Sequence, residues 1–232
     1  MREPDGIRAV FLDVGETIVD ETRVWESWAD WLGVPRFTFM AVLGEVVERG
    51  EPHTAVFEAF RPGFDLERER AARAAAGKLW TLEPRDIYPD VLPCLERLHA
   101  DGYTTGIGGN QPAGVTSMLR ALDLPVDVVA TSADWGVEKP AAAFFERVAT
   151  EAGVPAARVA YVGDRLDNDV LPAQTAGMLG VFLRRGPWGY AHARRPEAAR
   201  ADVRVDSLAE LPDALARFAD GSPRPAPDRM EP

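Results

Sequence analysis

The 232-residue chain has one cysteine, Cys94, which rules out an intrachain disulfide and any cysteine metal cluster. Cys94 lies among apolar residues at helical spacing in VLPCLERL and reads as a small core residue. No apolar run reaches the ~18–20 residues that span a bilayer. The apolar stretch near the N-terminus is too short for a signal-peptide core and acidic residues follow it at once, so a cytoplasmic address is expected. Positive charge is scarce as well: 26 Lys and Arg against 37 Asp and Glu leave a formal net charge of −11. Nucleic acid and anionic membranes need a basic face, so neither is expected as a partner. His53, His99 and His192 show no metal-ligand spacing and receive no catalytic role. No internal repeat or pattern diagnostic of an oligomeric state is present.

Lysine is scarce, with only Lys78 and Lys139 among the 26 basic side chains. A lysine kept in an arginine-rich chain raises the question of whether a compact ammonium is needed there. Lys78 ends an alanine-rich stretch and reads as a solvated helix-end charge. Lys139 stands just before a helical pattern, in GVEKPAAAFF.

Short apolar runs at 7–12, 103–107, 126–130, 159–162 and 180–183 read as buried strands, with a shorter one near 203–205. Helical periodicity lies between them at 89–100, 112–122, 141–152 and about 168–177, and again near 208–218. This alternation predicts an α/β fold, a Rossmann-like parallel sheet covered on both faces. Residues 184–189 read as a loop. The stretch 20–86 has helical patterns and no strand-like run, and it interrupts the chain between the first two strands. It is expected to form an inserted α-helical cap with Trp25, Trp28, Trp31 and Trp80 mostly in its own core and one of them lining the cleft. The expected domains are a core over 5–19 and 87–220, the cap over 20–86, and a Pro-rich polar tail over 221–232 expected to be disordered.

In parallel α/β sheets the chemistry gathers at the carboxyl ends of the strands. Here those ends carry Asp13, Asn110 and Asp164. Asp169 follows near the start of the next helix, where the helix dipole favours negative charge; plain helix capping is the alternative for it. If the first and fourth strands are neighbours, Asp13 and Asp164 face each other, and one must protonate or a cation must bind. Three carboxylates with a backbone carbonyl and waters suit Mg²⁺, a hard ion that prefers oxygen.

VFLDVGETIVD resembles the first motif of the haloacid dehalogenase-like hydrolase superfamily, and GIGGNQ its second. Lys139-Pro140 resembles the third, and VAYVGDRLDNDVLPAQTAGM the fourth. The four occur in the family's order over about 8–183, and the insert has the place and size of a C1-type helical cap. The resemblance implies a Mg²⁺-dependent hydrolase, a phosphatase acting on a small phosphorylated metabolite through an aspartyl-phosphate intermediate. Asp13 would be the nucleophile. Asp13, the Gly15 carbonyl and Asp164 would hold Mg²⁺, with Asp169 ligating directly or through water. Lys139 would neutralise charge between nucleophile and phosphoryl oxygens, Thr17 would brace the loop, and Asn110 with the amides around Gly109 would bind the phosphoryl group.

Two positions depart from the family pattern. Gly15 stands where a phosphatase of this superfamily usually has its acid/base aspartate, and Gly109 where the second motif usually has Ser or Thr. A missing general acid typically costs ~10²–10⁴-fold, or about 3–5 kcal/mol of barrier. Glu16 is adjacent, but its side chain is expected to point elsewhere. These departures leave open an alternative, a non-hydrolytic protein of the same fold that binds a phosphorylated ligand or a protein partner. Carbon–halogen hydrolysis fits poorly, because dehalogenases of the superfamily lack the paired acids of the fourth motif. Deleting 221–232 is expected to leave the melting temperature unchanged; a large fall would place that segment against the core.

Overall fold

The computed structural model describes residues 6–219; the expected tail at 221–232, and residues 5 and 220 of the expected core, lie outside them. Six strands form one sheet: β1 (Ala9–Leu12), β2 (Thr104–Gly109), β3 (Val128–Thr131), β4 (Val159–Gly163), β5 (Leu179–Leu183) and β6 (Val203–Val205). Their order is β3-β2-β1-β4-β5-β6 and every neighbouring pair is parallel. All four residues of β1 are fully buried, which explains why AVFL is continuously apolar: the strand is covered on both faces. The chain runs outward through β2 and β3, then returns to start β4 on the other side of β1. The order therefore reverses between β1 and β4, and the crevice at such a reversal is where α/β sheets bind ligands.

The insert between β1 and β2 carries α1 (Thr22–Leu32), α2 (Arg36–Glu48), α3 (Ala55–Phe60) and α4 (Leu66–Ala75). Asp65 caps α4 by accepting from the Arg68 N–H, and Gly33, with φ 70°, closes α1 in the left-handed region that glycine enters without strain. Trp25, Trp28, Phe39, Leu43 and Phe57 form the apolar cluster of the insert. Both ends of the insert are clipped together. The Arg23 guanidinium donates to both oxygens of buried Asp86, at 2.7 and 2.6 Å, and to Glu83 at 2.8 Å. Trp80, expected inside the insert, instead packs on the sheet's own cluster.

The remaining helices are α5 (Val91–Ala100), α6 (Val115–Arg120), α7 (Ser132–Trp135), α8 (Ala142–Ala152), α9 (Leu171–Thr175), α10 (Gly186–Ala193) and α11 (Leu211–Ala219). Strand alternation sorts them. Val10 and Leu12 face Leu95 and Leu98 of α5 and Leu211 and Leu215 of α11, with Cys94 among them. Ala9, Phe11 and Tyr161 face Phe144, Phe145 and Val148 of α8. Of the expected loop at 184–189, Arg184 and Arg185 are outside any helix and residues 186–189 are the start of α10, with Pro187 in its first turn, where a missing N–H costs nothing. Trp188 and Ala191 of α10 complete the insert's cluster. The expected helix at 168–177 opens as a wider π-helical turn, Leu166–Val170, before α9. No helix among the described residues is long and apolar enough to cross a membrane.

Gly106 of β2 lies against the Phe11 ring, which a Cβ there would overlap. Gly106→Ala is expected to cost about 1–3 kcal/mol through overpacking, read by chemical denaturation. Unchanged stability would show that the ring moves aside freely.

Candidate active site

Leu12 of β1 is paired with Val162 of β4, so Asp13 leaves its strand level with Gly163 and Asp164 follows one residue further on, at the same edge of the sheet. The π-helical turn after β4 brings Asp169 back to them. Each of the three offers an oxygen, and these oxygens lie within 4.8 Å of one another. All three residues are buried. Asp167 of the same turn points outward and pairs with Arg165 at 2.9 Å. Any Cβ at Gly163 would strike the Asp169 carboxyl, which explains a glycine at the end of β4.

Lys139 enters just before α8. Its Nζ lies 2.6 Å from Asp13 Oδ1 and 2.6 Å from Asp169 Oδ1. The ammonium stands 5.4 Å from the ring centre of Tyr161 and 5.9 Å from that of Phe144, so its surroundings are otherwise apolar or aromatic. Asn110, at the end of β2, grips the Lys139 backbone in both directions: its Nδ2 donates to the carbonyl and its Oδ1 accepts from the N–H, each at 2.8 Å. Burial works against the lysine charge, but Asp13 and Asp169 outweigh it and hold its pKa well above the ordinary value.

One ammonium does not balance three buried carboxylates. Burial, then Asp169 and Asp13, push Asp164 well above the usual carboxylate range, and its Oδ2 is buried with no hydrogen-bond partner. Burial also raises Asp169, to about 6, against the opposing pull of Lys139. An orphaned buried carboxylate oxygen is costly, and a hard divalent cation would satisfy it. Gly15 lines the same cleft, and the Gly15–Val19 bridge uses the Glu16 N–H and the Val14 carbonyl, not the Gly15 carbonyl. The donor set fits Mg²⁺.

The acids open into a cleft of about 680 Å³ between sheet and insert. Trp25 and Trp28 line it, as do Trp80, Arg70 and Arg73. Arg23 and Arg36 are engaged elsewhere, Arg23 with Asp86 and Glu83, Arg36 with Glu26 and Asp30. Lys78 is exposed. His192 is buried, accepts from the Leu166 N–H at 3.0 Å and is pushed down to about 4 by burial, so it serves the π-helical turn as a neutral ring.

Residues 7–177 match the family model of the haloacid dehalogenase-like hydrolases. The chain belongs to that family. It is 34% identical over 188 residues to a glyceraldehyde 3-phosphate phosphatase from Methanopyrus kandleri, a match covering 76% of this chain and 78% of that enzyme. A haloacid dehalogenase-type phosphatase from Thermococcus onnurineus matches in structure with a TM-score of 0.56 at 27% identity, covering 90% of this chain and 98% of that one. A 2-haloacid dehalogenase from Pseudomonas syringae pv. Tomato DC3000 matches with a TM-score of 0.56 at 24% identity over 91% and 99%, which speaks to the fold alone.

At both departures from the motifs of the haloacid dehalogenase-like family, the space a side chain would take is occupied by a neighbouring carboxyl group. A Cβ at Gly109 would overlap Asp13 Oδ1. A Cβ at Gly15 would lie 2.5 Å from Oε1 of Glu21. Glu21 carried no sequence signal, since its approach to Gly15 depends on how the chain turns into α1. Burial, with Glu16 and Asp13 nearby, pushes Glu21 up to about 8, while the Trp25 indole N–H pulls it the other way without a well-aligned hydrogen bond. Glu16 points away from the acids, accepting from the Tyr88 hydroxyl at 2.7 Å and the Glu21 N–H at 3.0 Å. The Thr17 hydroxyl, expected to brace this loop, is buried without a partner; Arg185 braces it by donating to the Thr17 carbonyl at 2.8 Å.

Because the folded-state pKa of Asp164 is raised, the metal-free folded protein holds a proton that the unfolded chain releases. The resulting stability penalty is absent below the unfolded pKa of about 3.9 and grows as pH rises above it. In chelator near neutral pH, Asp164→Asn is therefore expected to melt above wild type, with the gap closing toward acid. Mg²⁺ is expected to raise the melting temperature of wild type much more than that of the variant. Equal Mg²⁺ shifts in thermal melts of the two proteins would remove Asp164 from the metal site.

Proposed function

We propose that the chain is a Mg²⁺-dependent phosphatase that hydrolyses a small phosphorylated metabolite through an aspartyl-phosphate on Asp13. One observation carries the reading: Lys139 holds Asp13 from one side while Asp164 keeps a buried oxygen without a partner on the other. A nucleophile between a fixed cation and a cluster of buried oxygen donors suits attack on a dianionic phosphoryl group. Similarity to the Methanopyrus kandleri phosphatase supports a small phosphorylated substrate.

In this reading Asp13 attacks phosphorus, and Lys139 stabilises charge on the phosphoryl oxygens. Asn110 and Gly109 belong to the phosphoryl-binding side, and Asn110 acts chiefly by setting the position of Lys139. Asp13, the Gly15 carbonyl and Asp164 would hold Mg²⁺, with Asp169, already tied to Lys139 and to the Arg165 N–H, as its outer partner. Bound there, Mg²⁺ would supply positive charge to the transferring phosphoryl group. Residues 20–86 work as the cap over a core that, among the described residues, is 6–19 and 87–219, and the tryptophans of the cap keep water away from the intermediate. The non-hydrolytic alternative draws on Gly15 and Gly109, and the similarity to a phosphatase of known substrate favours the hydrolytic reading over it.

Asp13→Asn is expected to reduce turnover in a screen of phosphorylated metabolites to the background of the assay, because an amide is a poor nucleophile. Beryllofluoride with Mg²⁺ is expected to raise the melting temperature of wild type and not of Asp13→Asn. Undiminished turnover in the variant would move the chemistry to another residue.

A further inference from the structure

Gly15 has no side chain, yet the space that one would fill is taken. A Cβ at residue 15 would lie 2.5 Å from Oε1 of Glu21 and 2.9 Å from its Cδ. A carboxyl group therefore stands beside the loop where an acidic side chain on residue 15 would stand. It lines the same cleft as Asp13, Lys139 and Asp164.

The placement is built into the turn that starts the insert. Glu16 adopts a left-handed backbone, φ 52°, and its carboxylate swings back to accept from the Glu21 N–H at 3.0 Å. The Tyr88 hydroxyl, donating at 2.7 Å, fixes that carboxylate from the far side. The Glu21 carbonyl then accepts from the Trp25 N–H at 3.1 Å, which starts α1. With its backbone pinned at both ends, the Glu21 side chain folds over Gly15. The other glutamates on the cleft are less suited. Glu16 is committed to Tyr88 and the Glu21 N–H, and Glu138 is exposed.

We propose that Glu21 is the acid/base residue of this enzyme, reaching the scissile oxygen from the start of the insert instead of from position 15. The proposal rests on the phosphatase reading. In the first half-reaction an Asp13 oxygen bonds to phosphorus while the ester P–O bond breaks, and the Glu21 proton passes to the departing alcohol oxygen. In the second, the Glu21 carboxylate takes a proton from a water whose oxygen attacks phosphorus. The Asp13–phosphorus bond breaks, inorganic phosphate leaves, and the Asp13 carboxylate and the Glu21 acid are restored. One ester and one water give one alcohol and one phosphate.

The test compares phenyl phosphate with p-nitrophenyl phosphate, two esters of similar shape whose leaving groups differ in basicity. In Glu21→Gln, release of phenol is expected to slow by about 10²–10⁴-fold. The first equivalent of nitrophenolate, which needs little protonation, is expected to slow by at least about tenfold less, and then to stall as a burst because the aspartyl-phosphate is no longer hydrolysed quickly. The Mg²⁺-induced rise in melting temperature is expected to persist, which separates loss of the acid from loss of the metal site. The backbone at Gly15 is outside the left-handed region, so aspartate is compatible with it once Glu21 is shortened. The double variant Gly15→Asp with Glu21→Ala is accordingly expected to recover phenyl phosphate turnover that Glu21→Ala alone has lost. Equal slowing of both leaving groups, a wild-type rate in Glu21→Gln, or a folded double variant no faster than Glu21→Ala would each overturn the role of Glu21 and leave the phosphatase reading standing. A wild type that turns over neither ester nor any phosphorylated metabolite of the screen would overturn both.

Discussion

An ammonium buried between two carboxylates holds its charge only if its surroundings fix all three groups, and the site is arranged around Lys139 for that purpose. Taking such charges out of water is expensive, and their mutual attraction compensates only when the geometry is tight. Each partner comes from a different segment. Asp13 ends β1, Asp169 sits on the π-helical turn after β4, and Lys139 precedes α8 with its backbone gripped by Asn110 at the end of β2. The parallel order of the sheet brings these segments to one edge, so the charge balance depends on the topology as a whole. Asp164 completes the acid cluster, and no side chain among the described residues satisfies its second oxygen.

So many carboxyl groups in one place create a packing problem as well as an electrostatic one. Three glycines answer it. Gly163 makes room for Asp169, Gly109 for Asp13 and Gly15 for Glu21, and at each position a Cβ would meet the acid. Motif positions that look like losses when read along the chain are, in space, clearances for neighbouring side chains. A residue type that removes a function at its own position can admit a function from elsewhere.

This separates what was readable in the sequence from what was not. The strands were legible because β1 and β4 are buried on both faces and appear as unbroken apolar runs bounded by glycine. The acids at the strand ends followed from the sheet order. α10 was hidden because GPWGY resembles a turn; its helical state depends on Trp188 packing against α2 and its neighbours, a contact with residues more than a hundred positions earlier. Trp80 was misplaced for a related reason, since aromatic residues do not reveal which of two adjoining cores they join. Thr17 matched a motif position whose hydroxyl finds no partner here, while Arg185, from the other end of the chain, holds the loop. Glu21 was invisible because the contact that defines it involves a side chain that residue 15 does not have.

Trp188 and Ala191 belong by sequence to the segment after β5 and by packing to the insert between β1 and β2. During synthesis the insert emerges early, but its apolar cluster lacks these two side chains until residue 191 has left the ribosome. Domains generally fold as units as they are made, and this cluster is complete only once α10 has joined it. The same sharing ties fraying of α10 to exposure of the insert's cluster, so the two segments are coupled through these side chains.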